Sequence, residues 1–298
     1  MKNIWEKETN MVEACKEAKQ TKSVFGLVMR TIVFILIGEI IMLAFFSIFT
    51  QNNLFEEELF VSDTTQLMYL FGTIFTIFVF LTIAKYQYHR SWQSLGLTKH
   101  HALPQYLLGL CIGFVMISSV VGVAYLFHGL SFSGVKSGSI NILIMYFIAF
   151  MIQGFSEELM MRGFFMNACA VNTGLKKAVI YNSLLFAILH LGNDGVSIIA
   201  LINLVLIGIV FSLFSIYFDN IIVSSAIHGI WNFAQGNLYG VLVSGIYLPS
   251  TWMRFSMVEG NDLISGGAFG LEGSIVVTMM AIIMIVLLSL LYKHKQSR

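Results

Sequence analysis

A series of long apolar stretches separated by short polar ones constrains this chain more than any other feature. Eight can be drawn, at roughly residues 31–50, 66–84, 103–127, 140–160, 178–191, 197–218, 221–243 and 274–292. A hydrocarbon core of about 30 Å takes about 20 apolar residues as a helix, and only helices or closed barrels leave no backbone group unpaired there. The pattern predicts an all-α, polytopic membrane helical bundle of about eight transmembrane helices. The chain is 57% hydrophobic and 11% charged with mean hydropathy +0.81, where soluble domains carry about 25% charge. A net charge of +1 leaves no footprint for nucleic acid. Cys15, Cys111 and Cys169 are scattered, which excludes a CxxC motif or a disulfide framework. No cleavable signal peptide or internal repeat is expected.

Positive charge sets the orientation. With eight spans and both termini cytoplasmic, all of the 17 Lys and Arg except Lys136 and Arg254 fall on the inner side. The first outer loop is acidic (Glu56, Glu57, Glu58, Asp63). Residues 1–22 read as a cytoplasmic surface segment. Ile4, Trp5, Met11, Val12 and Cys15 there lie near helical spacing, which suits a short helix on the inner leaflet or a frayed tail. Residues 23–298 read as one transmembrane domain with a catalytic core at about 139–243. The outer stretch 244–273 is Gly-rich and has no helical period. The fifth segment holds only about 14 residues, near 21 Å as a helix. It either begins in the polar stretch before Lys176 or ends deep, with Gly192, Asn193, Asp194 and Gly195 buried in protein.

Chemistry concentrates in the fourth, fifth and seventh segments. Glu157 and Glu158 end an apolar run, and an ionisable group at lipid depth costs about 2.5–3.5 kcal/mol on insertion scales. Glu158 and Arg162 are i,i+4 with the acid N-terminal, the favourable order for an ion pair. Glu157, turned about 100° away, has no local cation; it either serves as a general base or faces interfacial water. His190 follows Phe186 by four residues on an apolar helix and alone suits a packing role. His228 and Asn232 share a helix face, with Gly229 permitting close approach, and alone suit interhelical hydrogen bonding. Together they specify more. Glu157 and His190 can hold and deprotonate a water, while His228 and Asn232 can supply donors to an oxyanion. Glu157 and His228 each lie about 10 Å from the inner face by helical rise, and His190 reads as deeper.

Glu-Glu-x-x-x-Arg, then Phe-x-x-x-His, then His-x-x-x-Asn, on successive membrane segments across residues 154–232, resembles the CPBP family. That family comprises CAAX prenyl endopeptidases and bacteriocin-processing or immunity proteins, also called Abi. The segment Phe269-Gly270-Leu271-Glu272-Gly273 is similar to bacterial members. The resemblance implies an eight-helix intramembrane endopeptidase with a cavity open to lipid and cytosol. Glu157 and His190 would activate water, His228 and Asn232 would stabilise the oxyanion, and Glu158 and Arg162 would support them. It implies a membrane-associated or prenylated peptide substrate, a lipid bilayer as surroundings, and a bacterial plasma membrane as location. Within the family a non-catalytic membrane partner, acting in immunity or in regulation of a sensor kinase or transporter, is the alternative.

No cofactor is expected. Glu157, His190 and His228 would nevertheless suit a three-ligand zinc site with one open position, although HExxH is absent. Glu39, midway along the first segment, reads as a structural hydrogen-bonding group or a cavity residue. Glu272 reads as structural at the outer interface, and Asn182 and Asn203 as interhelical hydrogen-bonding groups.

Overall fold

A computed structural model describes residues 8–19, 21–49, 62–136 and 139–295. The acidic Glu56, Glu57 and Glu58, and Ile4 and Trp5 of the N-terminal segment, lie outside the described residues. The chain runs α1 (Asn10–Lys16), α2 (Val24–Phe49), α3 (Asp63–Tyr86), α4 (Ala102–Leu126), β1 (Leu130–Val135), α5 (Ile140–Glu158), α6 (Asn167–Thr173), α7 (Leu175–Leu189), α8 (Ile198–Phe218), α9 (Ile222–Phe233), β2 (Met253–Met257), α10 (Asp262–Ser265) and α11 (Ile275–Lys295). It is an all-α polytopic bundle.

Six of the eight expected spans are helices long and apolar enough to cross a membrane: Val24–Ile48, Asp63–Tyr86, Ala102–Leu126, Ile140–Thr173, Ile198–Phe218 and Ile275–Lys295. The fifth and seventh segments are the shorter α7 and α9. The fourth runs past its expected end at 160, because α5 passes through a π-helical stretch, Leu159–Met166, directly into α6. Nothing breaks it until Gly174, where φ is +79°. A π-helix leaves carbonyls poorly used, and such stretches recur at functional sites. Here the α3–α4 connection covers them. Buried Arg90 donates to the carbonyls of Gly163 (2.9 Å) and Phe164 (3.2 Å). Asn167 Nδ2 also donates to Gly163 O (3.2 Å).

Short α9 is the central helix, buried from Val223 through Phe233. It fits because glycines flank it on both sides. A Cβ on Gly109 or Gly113 of α4 would stand 2.7 Å from the carbonyls of Val223 and Ile227, and one on Gly154 of α5 would stand 2.6 Å from the Gly229 nitrogen. With no side chains between them the backbones pack at close range, the usual means of helix association in lipid. The close approach expected at Gly229 is therefore present. Asn182 Nδ2 joins α7 to Ser212 of α8 (3.1 Å), and Asn203 Nδ2 donates to the carbonyls of Glu272 and Ser274 (2.7 Å each).

Three local expectations change. The N-terminal helix does not turn its apolar side to lipid. Met11, Val12 and Cys15 are buried, and Asp219 accepts from the backbone nitrogens of Asn10 (3.1 Å) and Met11 (3.2 Å). The turn at 192–195 is not buried; it lies on the surface, and Asn193 Nδ2 donates to Ser244 O (2.9 Å). α7 instead gains its length at the other end, starting at Leu175. Finally, β1 and β2 form an antiparallel ribbon pairing Leu130 with Met257 and Val135 with Met253. Each strand alternates apolar and polar residues (Leu130-Ser131-Phe132-Ser133 and Met253-Arg254-Phe255-Ser256-Met257) in a stretch between helices too short to stand out beside the apolar runs.

Candidate active site

Contacts fix the relative depth of the site residues. Arg162 Nη2 donates to Gly208 O (3.1 Å), and Gly208 packs on Ser183, so residues 162, 183 and 208 share one level. Glu157 lies five residues from that level and His190 seven, about 8 and 10 Å by helical rise. His190 is therefore the deeper of the two, as its sequence position suggested, but by only about 3 Å.

The buried base of the site is an ion pair. Arg162 and Glu158 are wholly buried, and Arg162 Nη1 donates to Glu158 Oε1 at 2.8 Å, as their spacing predicted. The guanidinium also lies over the rings of Phe186 (4.9 Å) and Phe211 (5.3 Å), contacts worth about 0.5–2 kcal/mol each. Removing one member of a buried pair typically costs about 3–5 kcal/mol, because the other charge stays behind without compensation. Glu158 Oε1 takes a second bond, from Nδ1 of buried His228 at 3.1 Å.

His228 stands between the two acids. Nδ1 faces Glu158, while Nε2 is 3.7 Å from Glu157 Oε2, too far for a direct hydrogen bond. A carboxylate only accepts, so Nδ1 carries a proton, and Nε2 can donate only when the ring carries both. In that state the charges of Glu157, Glu158, Arg162 and His228 sum to zero. Phe211 lies 5.0 Å from the imidazole, centroid to centroid.

His190 ends α7 as its C-cap, with φ −97° and ψ 2°. Its Nδ1 is 2.8 Å from Phe186 O. A carbonyl oxygen also only accepts, so Nδ1 is the protonated nitrogen and Nε2 of the neutral ring presents a lone pair. The i−4 bond to Phe186 thus sets the tautomer of a histidine at a helix end.

Gln153 was not anticipated. It lies one turn before Glu157; its Nε2 donates to Glu157 Oε1, and its Oε1 accepts from Asn232 Nδ2 at 3.1 Å. A polar chain therefore runs from Asn232 through Gln153, Glu157, His228 and Glu158 to Arg162, hydrogen-bonded at every step except the 3.7 Å between Glu157 and His228. The signal for Gln153 in the sequence is a glutamine four residues before a lipid-depth glutamate, a polar but uncharged neighbour on the same helix face.

Glu157, His190, His228 and Asn232 all line one cavity of about 340 Å³, within the range of small-ligand sites. Gln153 lines it too, and most of the remaining wall is apolar. Glu158 and Arg162 lie behind the wall. Two further acids reach the cavity. Glu39 does so from α2, without a hydrogen-bond or ion-pair partner among the described residues, so the structural bond that was one expectation for it is not made. Glu272 is buried; it accepts from Gln235 Nε2 and from Ser244 Oγ (3.2 Å). Burial pushes its carboxyl up to about 7. Among the described residues no group of three or more His, Cys, Asp or Glu is arranged to hold a metal ion, and Glu157, His190 and His228 are not such a group.

Residues 139–234 match the family model described as Rce1-like, type II CAAX prenyl endopeptidase. This is the CPBP/CAAX protease family that the three motifs resembled, and the match spans all of them. No curated protein matches the chain.

Proposed function

We propose that this chain is an intramembrane endopeptidase that hydrolyses a peptide bond of a membrane-associated or prenylated peptide or protein. One observation carries the reading: Glu157, His190, His228 and Asn232, from three helices, line a single largely apolar cavity inside a helix bundle. Water is held between Glu157 and the Nε2 lone pair of His190. Glu157 takes its proton as the oxygen attacks the carbonyl carbon. Positioned acid–base groups of this kind contribute about 10²–10⁴ in rate. The carbonyl π electrons move to oxygen, and the oxyanion meets N–H groups of His228 and Asn232. Collapse of the tetrahedral intermediate breaks the C–N bond, and the departing amine takes the proton from Glu157.

The supporting residues follow from the contacts. Gln153 occupies Oε1 of Glu157 and leaves Oε2 for the proton. Glu158 accepts from His228 Nδ1 and balances the doubly protonated ring that an Nε2 donor requires. Arg162 neutralises Glu158 in turn.

In this reading no metal takes part, and the membrane is a bacterial plasma membrane. The test compares membrane peptides from cells carrying wild-type protein with those from cells carrying Glu157→Ala at equal protein level. Peptides shortened only in wild-type cells support the proposal. A phenotype unchanged by alanine at Glu157, His190 and His228 would instead assign the chain to a non-catalytic partner role. Metal analysis of active protein, with chelation and zinc rescue, tests the metal-free step.

A further inference from the structure

Apart from the His228 ring, which Glu158 balances, the charge on the cavity wall is one-sided. Of the charged side chains on its wall, Glu39, Glu157 and Glu272 are acids, and no Lys or Arg lines it among the described residues. Arg162, the cation nearest to these groups in the polar chain, is buried and bound to Glu158. Of the three acids, Glu157 is engaged by Gln153, and Glu272 by Gln235 and Ser244. Glu39 alone faces the cavity with both oxygens free, and it is exposed rather than packed.

Its depth is close to that of the site. Phe34 of α2 meets Phe164 at 5.9 Å between ring centroids. Glu39 is five residues beyond Phe34, and Glu157 seven residues from Phe164, rises of about 8 and 10 Å. A free carboxylate at this depth is costly unless something pairs with it, and such groups mark ligand paths.

We infer that Glu39 is a specificity residue, and that the cavity accepts an apolar peptide segment bearing one basic side chain, whose ammonium or guanidinium pairs with Glu39. This rests on the peptide-site reading given above and adds the substrate's charge. An acidic side chain in the same place would meet like charge at Glu39, where no Lys or Arg lines the cavity among the described residues. A neutral one would leave Glu39 as it stands.

Binding and cleavage separate the two ideas. The probe is a dansyl-labelled decapeptide of Gly, Ser and Leu with one variable position, carrying Lys, norleucine or Glu. Protein is held in phosphatidylcholine nanodiscs, whose net neutrality removes lipid attraction for basic peptides. The background is His190→Ala, which keeps all three carboxylates. The Lys peptide is expected to bind about tenfold more tightly than the norleucine peptide, a difference of about 1.4 kcal/mol. Glu39→Gln should abolish that preference while leaving norleucine binding unchanged, and Glu39→Lys should transfer it to the Glu peptide. Equal binding of the three peptides, binding of none, or a Lys preference that survives Glu39→Gln would overturn the inference. The same peptides given to wild-type protein and analysed by mass spectrometry report on hydrolysis. Charge preference without cleavage refutes the endopeptidase and keeps the subsite; cleavage without preference does the reverse.

Discussion

Arg162→Met removes the cation from a carboxylate with no access to solvent. Glu158 keeps only the His228 Nδ1 bond, and its Oε2 already lacks a partner. The loss should approach the about 3–5 kcal/mol of a broken buried pair. Glu158→Met is gentler. Arg162 then retains Gly208 O at 3.1 Å and two aromatic faces, at about 0.5–2 kcal/mol per face, so a cost of about 2–3 kcal/mol is expected. The double variant leaves no stranded charge and should cost less than Arg162→Met alone. The assay is denaturant unfolding in mixed micelles, followed by tryptophan fluorescence and read as a double-mutant cycle. The expected coupling is about 2 kcal/mol or more. Costs that add to within about 0.5 kcal/mol would refute the claim that the two residues act as one buried unit.

Three further outcomes are expected. Asn232→Ala should lower kcat by about 10²–10³ with little change in KM, as for removal of one oxyanion donor, when steady-state cleavage is measured. Gly154→Leu should destabilise by at least the about 1–3 kcal/mol typical of overpacking, because its Cβ would stand 2.6 Å from the Gly229 nitrogen; thermal unfolding checks this. Glu272, held at about 7 by burial against 4.5 for a free glutamate, binds its proton more readily folded than unfolded. Its contribution to stability is therefore fully present below pH 4.5 and lost as pH rises through about 7, a fall of about 3 kcal/mol. Unfolding measured across that range should show the decline, and Glu272→Gln should flatten it.

Much of this architecture was legible because lipid leaves so few choices. Segment hydropathy located every long helix, and the i,i+4 spacing of Glu158 and Arg162 gave their ion pair directly. The three motifs singled out Glu157, His190, His228 and Asn232, and all four line one cavity. Other features depended on tertiary contacts between residues distant in sequence. The π-helical stretch at Leu159–Met166 is stabilised by Arg90, more than seventy positions away in sequence. The strands of the ribbon are 118 residues apart at their nearest pair, Val135 and Met253. The N-terminal helix looked membrane-facing because its apolar spacing fits lipid or protein equally, and tertiary contacts decide: Met11, Val12 and Cys15 are buried in protein, and Asp219 holds the first backbone nitrogens. Gln153 was visible in the sequence, but its importance came from lying within reach of Glu157 and Asn232 together.

The account stands or falls on Glu157 as the group that activates water. Its most direct test is single-turnover cleavage by purified protein in nanodiscs in ¹⁸O-labelled water, comparing wild type with Glu157→Gln. Wild type should release a fragment whose new C-terminal carboxylate carries one ¹⁸O atom, and Glu157→Gln, folded to the same melting temperature, should release none at the same protein concentration. Equal release by the two proteins would contradict it.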